Sequence, residues 1–153
     1  MNVFADSSIL VEHIKGNQTS FITSCLEKNA VLHISSTVVS EFLFYILAIR
    51  GNKSPLAIKS KGQISSYLNE SEVSIFLNQF TILSTNTEIV SSVPGLMVKH
   101  NLLPNDALIL ATCLHHSLPY LASYGENDFR DACTAEGVTL ISSEAEAKQF
   151  LAN

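Results

Sequence analysis

Basic residues are scarce in this chain, with nine Lys and Arg against fourteen Asp and Glu and a formal net charge of −5. That excludes a broad positive face for nonspecific duplex binding but leaves room for a local contact patch. Long apolar runs are also missing. The longest, over 42–49, has eight residues, whereas a membrane span needs roughly 20. No membrane association is expected. The start, Met-Asn-Val-Phe-Ala-Asp, lacks a basic region followed by an apolar stretch, so no signal peptide is expected. The three cysteines, Cys25, Cys113 and Cys133, have no metal-type spacing. Their odd, sparse number fits a reducing cytoplasm. No repeat, low-complexity tract or long linker divides the chain, and 153 residues suit a single domain over 1–153. A 46% hydrophobic fraction against 15% charged is enough for a substantial core and excludes disorder.

Short apolar segments alternate with helical ones. Residues 2–5 read as a buried strand. Helices are expected over 7–13 and 19–29, and 31–35 is a weaker strand or turn. The next helix is expected over about 37–50, with Gly51 as its stop. Ser54-Pro55 opens another, expected to reach Leu68, and Ser71 opens a short one. Residues 80–83 form a strand. Thr85-Asn86-Thr87-Glu88 reads as a capping box for a helix to about His100, which Pro94 should kink. Leu103-Pro104-Asn105-Asp106 starts a helix ending near His116. Strands follow over 120–123 and 138–141, and Ser143-Glu144-Ala145-Glu146 is a second capping box. This alternation predicts an α/β fold, a short and mainly parallel sheet covered by helices on both faces. Ligands in such sheets bind beyond the carboxyl ends of the strands. Asp6 and Ser123 both fall at such ends and are expected to face one crevice.

Asp6 ends an apolar strand, Glu41 opens an almost wholly apolar helix, and Asp106 precedes another. Charged side chains are rarely buried unless paired or bound to metal. Carboxylates that converge repel one another unless a cation or proton sits among them. Hard cations such as magnesium and manganese prefer oxygen ligands. Each acid also has a plain structural alternative. Asp6 could cap the helix after it, with Ser7 or Ser8 sharing that work. Glu41 and Asp106 would sit in first helical turns, where the dipole favours a negative charge. Asp128 could be a turn residue in Gly125-Glu126-Asn127-Asp128. Four caps together explain less, since Ser or Thr would serve as well. The acids are 35, 65 and 22 residues apart, so one site would draw on distant elements.

The same residues carry a family resemblance. The matching pieces are Phe4-Ala5-Asp6-Ser7-Ser8, Ser40-Glu41, the run from Leu102 through Leu103-Pro104-Asn105-Asp106-Ala107 to Thr112, and Leu121-Ala122-Ser123-Tyr124 with Asp128-Phe129. In order and spacing the chain resembles a PIN domain, and within that group the VapC-like toxin ribonucleases. The resemblance implies a PIN-like three-layer α/β/α domain. It implies that Asp6, Glu41 and Asp106 hold Mg2+ or Mn2+, and that Ser8 and Ser123 orient those acids or contact a phosphate. Many members have Asp or Asn two residues after the Ser123 position; here Gly125 stands there. The fourth acid is then Asp128, Glu126 or none. The implied activity is metal-dependent hydrolysis of single-stranded or structured RNA leaving a 5′-phosphate, with a cognate antitoxin as partner. Gly125 motivates an alternative, a catalytically weak PIN domain that binds RNA or protein. An unrelated phosphohydrolase of doubly wound fold is a further one.

Arg50, Lys53, Lys59 and Lys61 are four of the nine basic residues, and no acid lies between Phe42 and Asn69. This stretch is the expected RNA backbone contact; a solvated helix face is the alternative. His115 and His116 suit a helix end, and no histidine spacing suits zinc. Phe42, Phe44 and Tyr45 read as core or interface packing. The helix that carries them is apolar nearly all round, which points to packing on a second copy in a homodimer.

Overall fold

The computed structural model describes residues 1–151. Five strands form one sheet in the order β3-β2-β1-β4-β5, every neighbouring pair parallel: β1 (Asn2–Ala5), β2 (Val31–Ser35), β3 (Thr81–Leu83), β4 (Tyr120–Ala122) and β5 (Thr139–Ile141). The expected parallel sheet is present, and 31–35 is a strand. Helices cover both faces, giving three layers. β1 is central and its Val3, Phe4 and Ala5 are fully buried. A strand buried on both faces must read as an unbroken apolar run, as 3–5 does.

The chain runs outward from β1 to β2 and β3, then returns to the other side of β1 for β4 and β5. The sheet therefore reverses its direction of growth between β1 and β4. Neighbouring loops part there and leave a crevice at the carboxyl ends. Phe4 pairs with Leu121 and Ala5 with Ala122. The Asp6 amide continues the ladder to the Ala122 carbonyl at 2.9 Å.

Before β3 come α1 (Ser7–Lys15), α2 (Ser20–Glu27), α3 (Ser36–Gly51), α4 (Pro55–Ser60), α5 (Ile64–Tyr67) and α6 (Glu70–Leu77). Helix α3 begins directly where β2 ends, because Ser35 leaves the sheet in extended backbone and caps it from there. Its start at Ser36 is within one residue of the expected one, but Glu41, expected in the first turn, is not there. Glu41 lies in the second turn, beyond the free amides of the helix start. Gly51 is still helical, and the stop is Asn52 at φ 47°. The single helix expected over 54–68 is two short ones. Gly62 separates them at φ 64°, a conformation glycine adopts cheaply.

After β3 come α7 (Thr87–His100) and α8 (Pro104–His115), packed on each other, then α9 (Glu126–Glu136) and α10 (Glu144–Leu151). The cap of α7 is Asn86, one residue past the expected Thr85; its Oδ1 accepts from the Ile89 amide at 2.9 Å. Helix α7 runs through Pro94. Helix α9 was not expected. It supplies Phe129, Ala132 and Cys133 to the core at helical spacing. The three cysteines are free and buried. Burial pushes the Cys25 thiol up to about 11 and those of Cys113 and Cys133 to about 12. No helix among the described residues is long and apolar enough to cross a membrane.

Candidate metal centre

Asp6 follows the last residue of β1 and caps α1. Its Oδ2 accepts from the Ser8 hydroxyl at 2.8 Å, the Ser123 hydroxyl at 2.8 Å and the Ser8 amide at 3.4 Å. Its Oδ1 accepts from the Ser7 hydroxyl at 3.3 Å. The hydroxyls are themselves fixed. Ser8 Oγ accepts from the Tyr124 amide at 3.0 Å, and Ser123 Oγ from the Gly125 amide at 3.0 Å. An amide N–H can only donate, so each hydroxyl accepts there and gives its one proton to the Asp6 carboxylate. Asp6 is thus both a cap and the centre of a network joining the ends of β1 and β4.

Glu41 and Asp106 approach from α3 and α8. Asn105 Nδ2 donates to Glu41 Oε1 at 2.7 Å, tying those two helices together. Asp106 is in the first turn of α8 and Asp128 in the first turn of α9. All four acids line one cavity of about 270 Å3, together with Ser7, Ser8, Val11, Glu12, Tyr45, Gly125 and Phe129. No Lys, Arg or His is among them. Burial, then the charges of Asp128, Asp6 and Glu41, push the Asp106 carboxyl up from its ordinary 3.8 to about 6. Five carboxylates line this cavity, Glu12 being paired with Lys15, and such a lining without a basic side chain fits a divalent hard cation. Among the described residues, no three His, Cys, Asp or Glu side chains already stand in a metal-holding arrangement. The acids share a cavity without closing on one point.

Geometry separates the two candidates for the fourth acid. Glu126 is held by Arg130 and by the Ser142 hydroxyl at 3.4 Å, and it does not line the cavity. Asp128 does. A Cβ built on Gly125 would lie 3.0 Å from Asp128 Oδ2 and 3.4 Å from Ser123 Oγ. The Asp128 carboxylate therefore stands in space that a side chain at 125 would claim. Gly125 is at φ −80°, which any residue adopts. Gly125→Ala should keep the fold but move Asp128, and is expected to weaken manganese affinity about 10-fold. Unchanged affinity by isothermal titration would refute this.

Sequence reasoning did not single out Asn105, Glu12 or Tyr45 for the site. Tyr45 follows Glu41 by one helical turn, and Glu12 follows Ser8 likewise. That spacing was the available signal for both. Glu12 is bound to Lys15 at 2.7 Å and Asn17 at 2.9 Å, in that order the causes that lower its carboxyl. Asn105 had only its place beside Asp106. Of the expected RNA contacts, Arg50 is engaged by Glu72 at 2.6 Å. Lys53, Lys59 and Lys61 are exposed.

The chain matches the PIN domain family over residues 3–134. It is 33% identical to Ribonuclease VapC2 of Methanocaldococcus jannaschii over 130 residues, 84% of this chain and 87% of that one. It is 30% identical to Ribonuclease VapC6 of the same organism over 139 residues, 84% and 90%. Its fold matches the crystal structure of VapBC2 from Rickettsia felis bound to a promoter DNA fragment, with TM-score 0.63 and 19% identity over 92% of this chain and 98% of that one. This protein belongs to the PIN domain family.

Proposed function

We propose that this chain is a divalent-metal-dependent ribonuclease, the toxin of a toxin–antitoxin pair, cutting single-stranded RNA. The observation that carries the reading is the convergence of Asp6, Glu41, Asp106 and Asp128 on one cavity at the β1/β4 crevice. Two relatives at 30% and 33% identity that bear the name Ribonuclease VapC support it.

In this reading the four acids hold magnesium or manganese. A cation bound there lowers the pKa of a water and neutralises phosphate charge. Asp6 is kept in place by the Ser8 and Ser123 hydroxyls, and Glu41 by Asn105. Residues already positioned need little reorganisation when the substrate arrives. Water adds to phosphorus as the bond to the 3′-oxygen breaks; the proton goes to that oxygen, and a 5′-phosphate remains. The cation also lets an acidic protein accept an anionic chain.

Lys53, Lys59 and Lys61 contact the RNA backbone. Changing all three to Glu is expected to weaken RNA binding at least 10-fold at low salt, with the difference shrinking as salt rises. Unchanged affinity in a filter-binding titration would sink this contact. A cognate antitoxin is the proposed protein partner, the cytoplasm the proposed location, and a homodimer the proposed assembly.

The deciding experiment incubates a mixed single-stranded RNA pool with the protein and manganese, magnesium or chelator. Metal-dependent cutting is the expected result. Binding without cutting in any metal would favour the second reading, a binding module, which Gly125 motivates.

A further inference from the structure

Beside the acid cavity lies a second one of about 320 Å3, lined by Ser40, Glu41, Phe44, Tyr45 and Asn105. Glu41 and Tyr45 line both cavities. The two therefore adjoin along the face of α3 that carries this pair. The character of the lining changes along that face, from carboxylates to aromatic rings with a few polar groups.

Helix α3 sends different side chains to different sides. Phe42 and Ile46 enter the core and are 0% and 2% exposed, whereas Phe44 and Tyr45 are 53% and 49% exposed. The two exposed rings meet edge to face with centroids 6.2 Å apart. Core packing accounts for Phe42 and not for this pair. Rings beside a phosphate-cleaving site offer what carboxylates and metals lack, a flat apolar surface for a base. Every base has such a face, so stacking anchors a single strand without demanding one sequence. Asn105 adds a polar contact. Its Nδ2 donates to Glu41 Oε1 at 2.7 Å, and a carboxylate only accepts. The amide orientation is thereby set, and its oxygen remains available.

We propose that this second cavity is a nucleobase subsite. With the scissile phosphate at the four acids, the neighbouring base of the RNA stacks on Tyr45 and Phe44, and Asn105 meets its edge. The subsite rests on the ribonuclease reading. Tyr45 is a substrate-positioning residue, and its contribution falls on binding more than on the bond-breaking step.

The test uses Tyr45→Ala, Tyr45→Phe and Tyr45→Trp in the full chain. Tyr45 is half exposed, so these changes leave the core intact. Against the single-stranded RNA pool with manganese, Tyr45→Ala is expected to raise KM about 5- to 100-fold with kcat little changed. Tyr45→Phe keeps the ring and should stay close to wild type. The chain has no tryptophan, so the indole of Tyr45→Trp reports on this place alone. Its emission should be quenched by a short single-stranded RNA and not by an abasic ribose-phosphate strand of equal charge. Equal response to both strands, or an unchanged KM in Tyr45→Ala, overturns the subsite while wild-type cleavage still stands. If wild type cuts no RNA, the ribonuclease reading fails separately. Base-dependent quenching would then still support a base-binding cavity, and its absence would overturn one. A changed oligomeric state in Tyr45→Ala with unchanged KM would assign the two rings to an interface between copies and overturn the proposal.

Discussion

Replacing Asp6 with asparagine is expected to lower metal-dependent RNA cleavage by more than about 100-fold, since loss of a residue that merely orients a metal ligand costs 10- to 100-fold. The fold should survive. Asparagine caps helices about as well as aspartate, and its side-chain oxygen can still accept from the Ser8 and Ser123 hydroxyls that now bind Oδ2. What is lost is the charge and one acceptor oxygen. Matching circular dichroism and thermal unfolding, with cleavage of the RNA pool compared side by side, would separate chemistry from folding. Asp6→Asn cutting within a few-fold of wild type would remove Asp6 from the centre and with it the proposed mechanism.

Asp106→Asn should raise the stability of the metal-free protein. The folded-state carboxyl is raised from 3.8 to about 6. The fold therefore favours its neutral form. This favourable contribution is fully present below pH 3.8 and is lost as pH rises through 6. At pH 7.5 the metal-free protein bears the whole penalty. Such a shift corresponds to about 3 kcal/mol unscreened. Asp106 is only half-buried, and water screening together with the favourable dipole of α8 reduces the expected effect to about 1 kcal/mol. Asparagine, neutral at every pH, should raise the Tm of metal-free protein by about 2–4 °C at pH 7.5, with almost no gain at pH 4. Cleavage should be lost in the same variant. Saturating manganese should stabilise wild type by about 2.7 kcal/mol at 100 times its Kd, and Asp106→Asn much less. Equal Tm values for the two metal-free proteins at pH 7.5 would show that the acids do not strain the fold.

These two acids were readable because they interrupt apolar runs. Asp6 after 3–5 and Asp106 before 107–111 stand where a helix cap alone would not require a carboxylate. The alternation of strands and helices was readable for the same reason, since a fully buried parallel strand must be apolar throughout. Other features depend on partners far away in sequence. Asn105 contacts Glu41 across 64 residues, and nothing local in Leu103-Pro104-Asn105 announces that. Helix α9 was missed because Gly125-Glu126-Asn127 has turn chemistry and its apolar residues are few; Phe129, Ala132 and Cys133 form a narrow stripe in a polar helix. The Thr85 cap failed by one residue because Asn86 competes for the same free amides and caps better. Glu41 seemed to open its helix because the preceding Ser36 to Ser40 holds two hydroxyl-rich starts, and only the end of β2 at Ser35 decides between them.

The placement of β1 between β2 and β4 has a consequence for synthesis. Asp6 leaves the ribosome more than a hundred residues ahead of the Ser123 hydroxyl that holds it and the Asp128 carboxylate that shares its cavity. The central strand cannot acquire its second neighbour before then. A nascent chain that stops short of Ser123 therefore carries three of the acids without the strand that assembles them. The acid cavity therefore lacks part of its lining until β4 and α9 have been made.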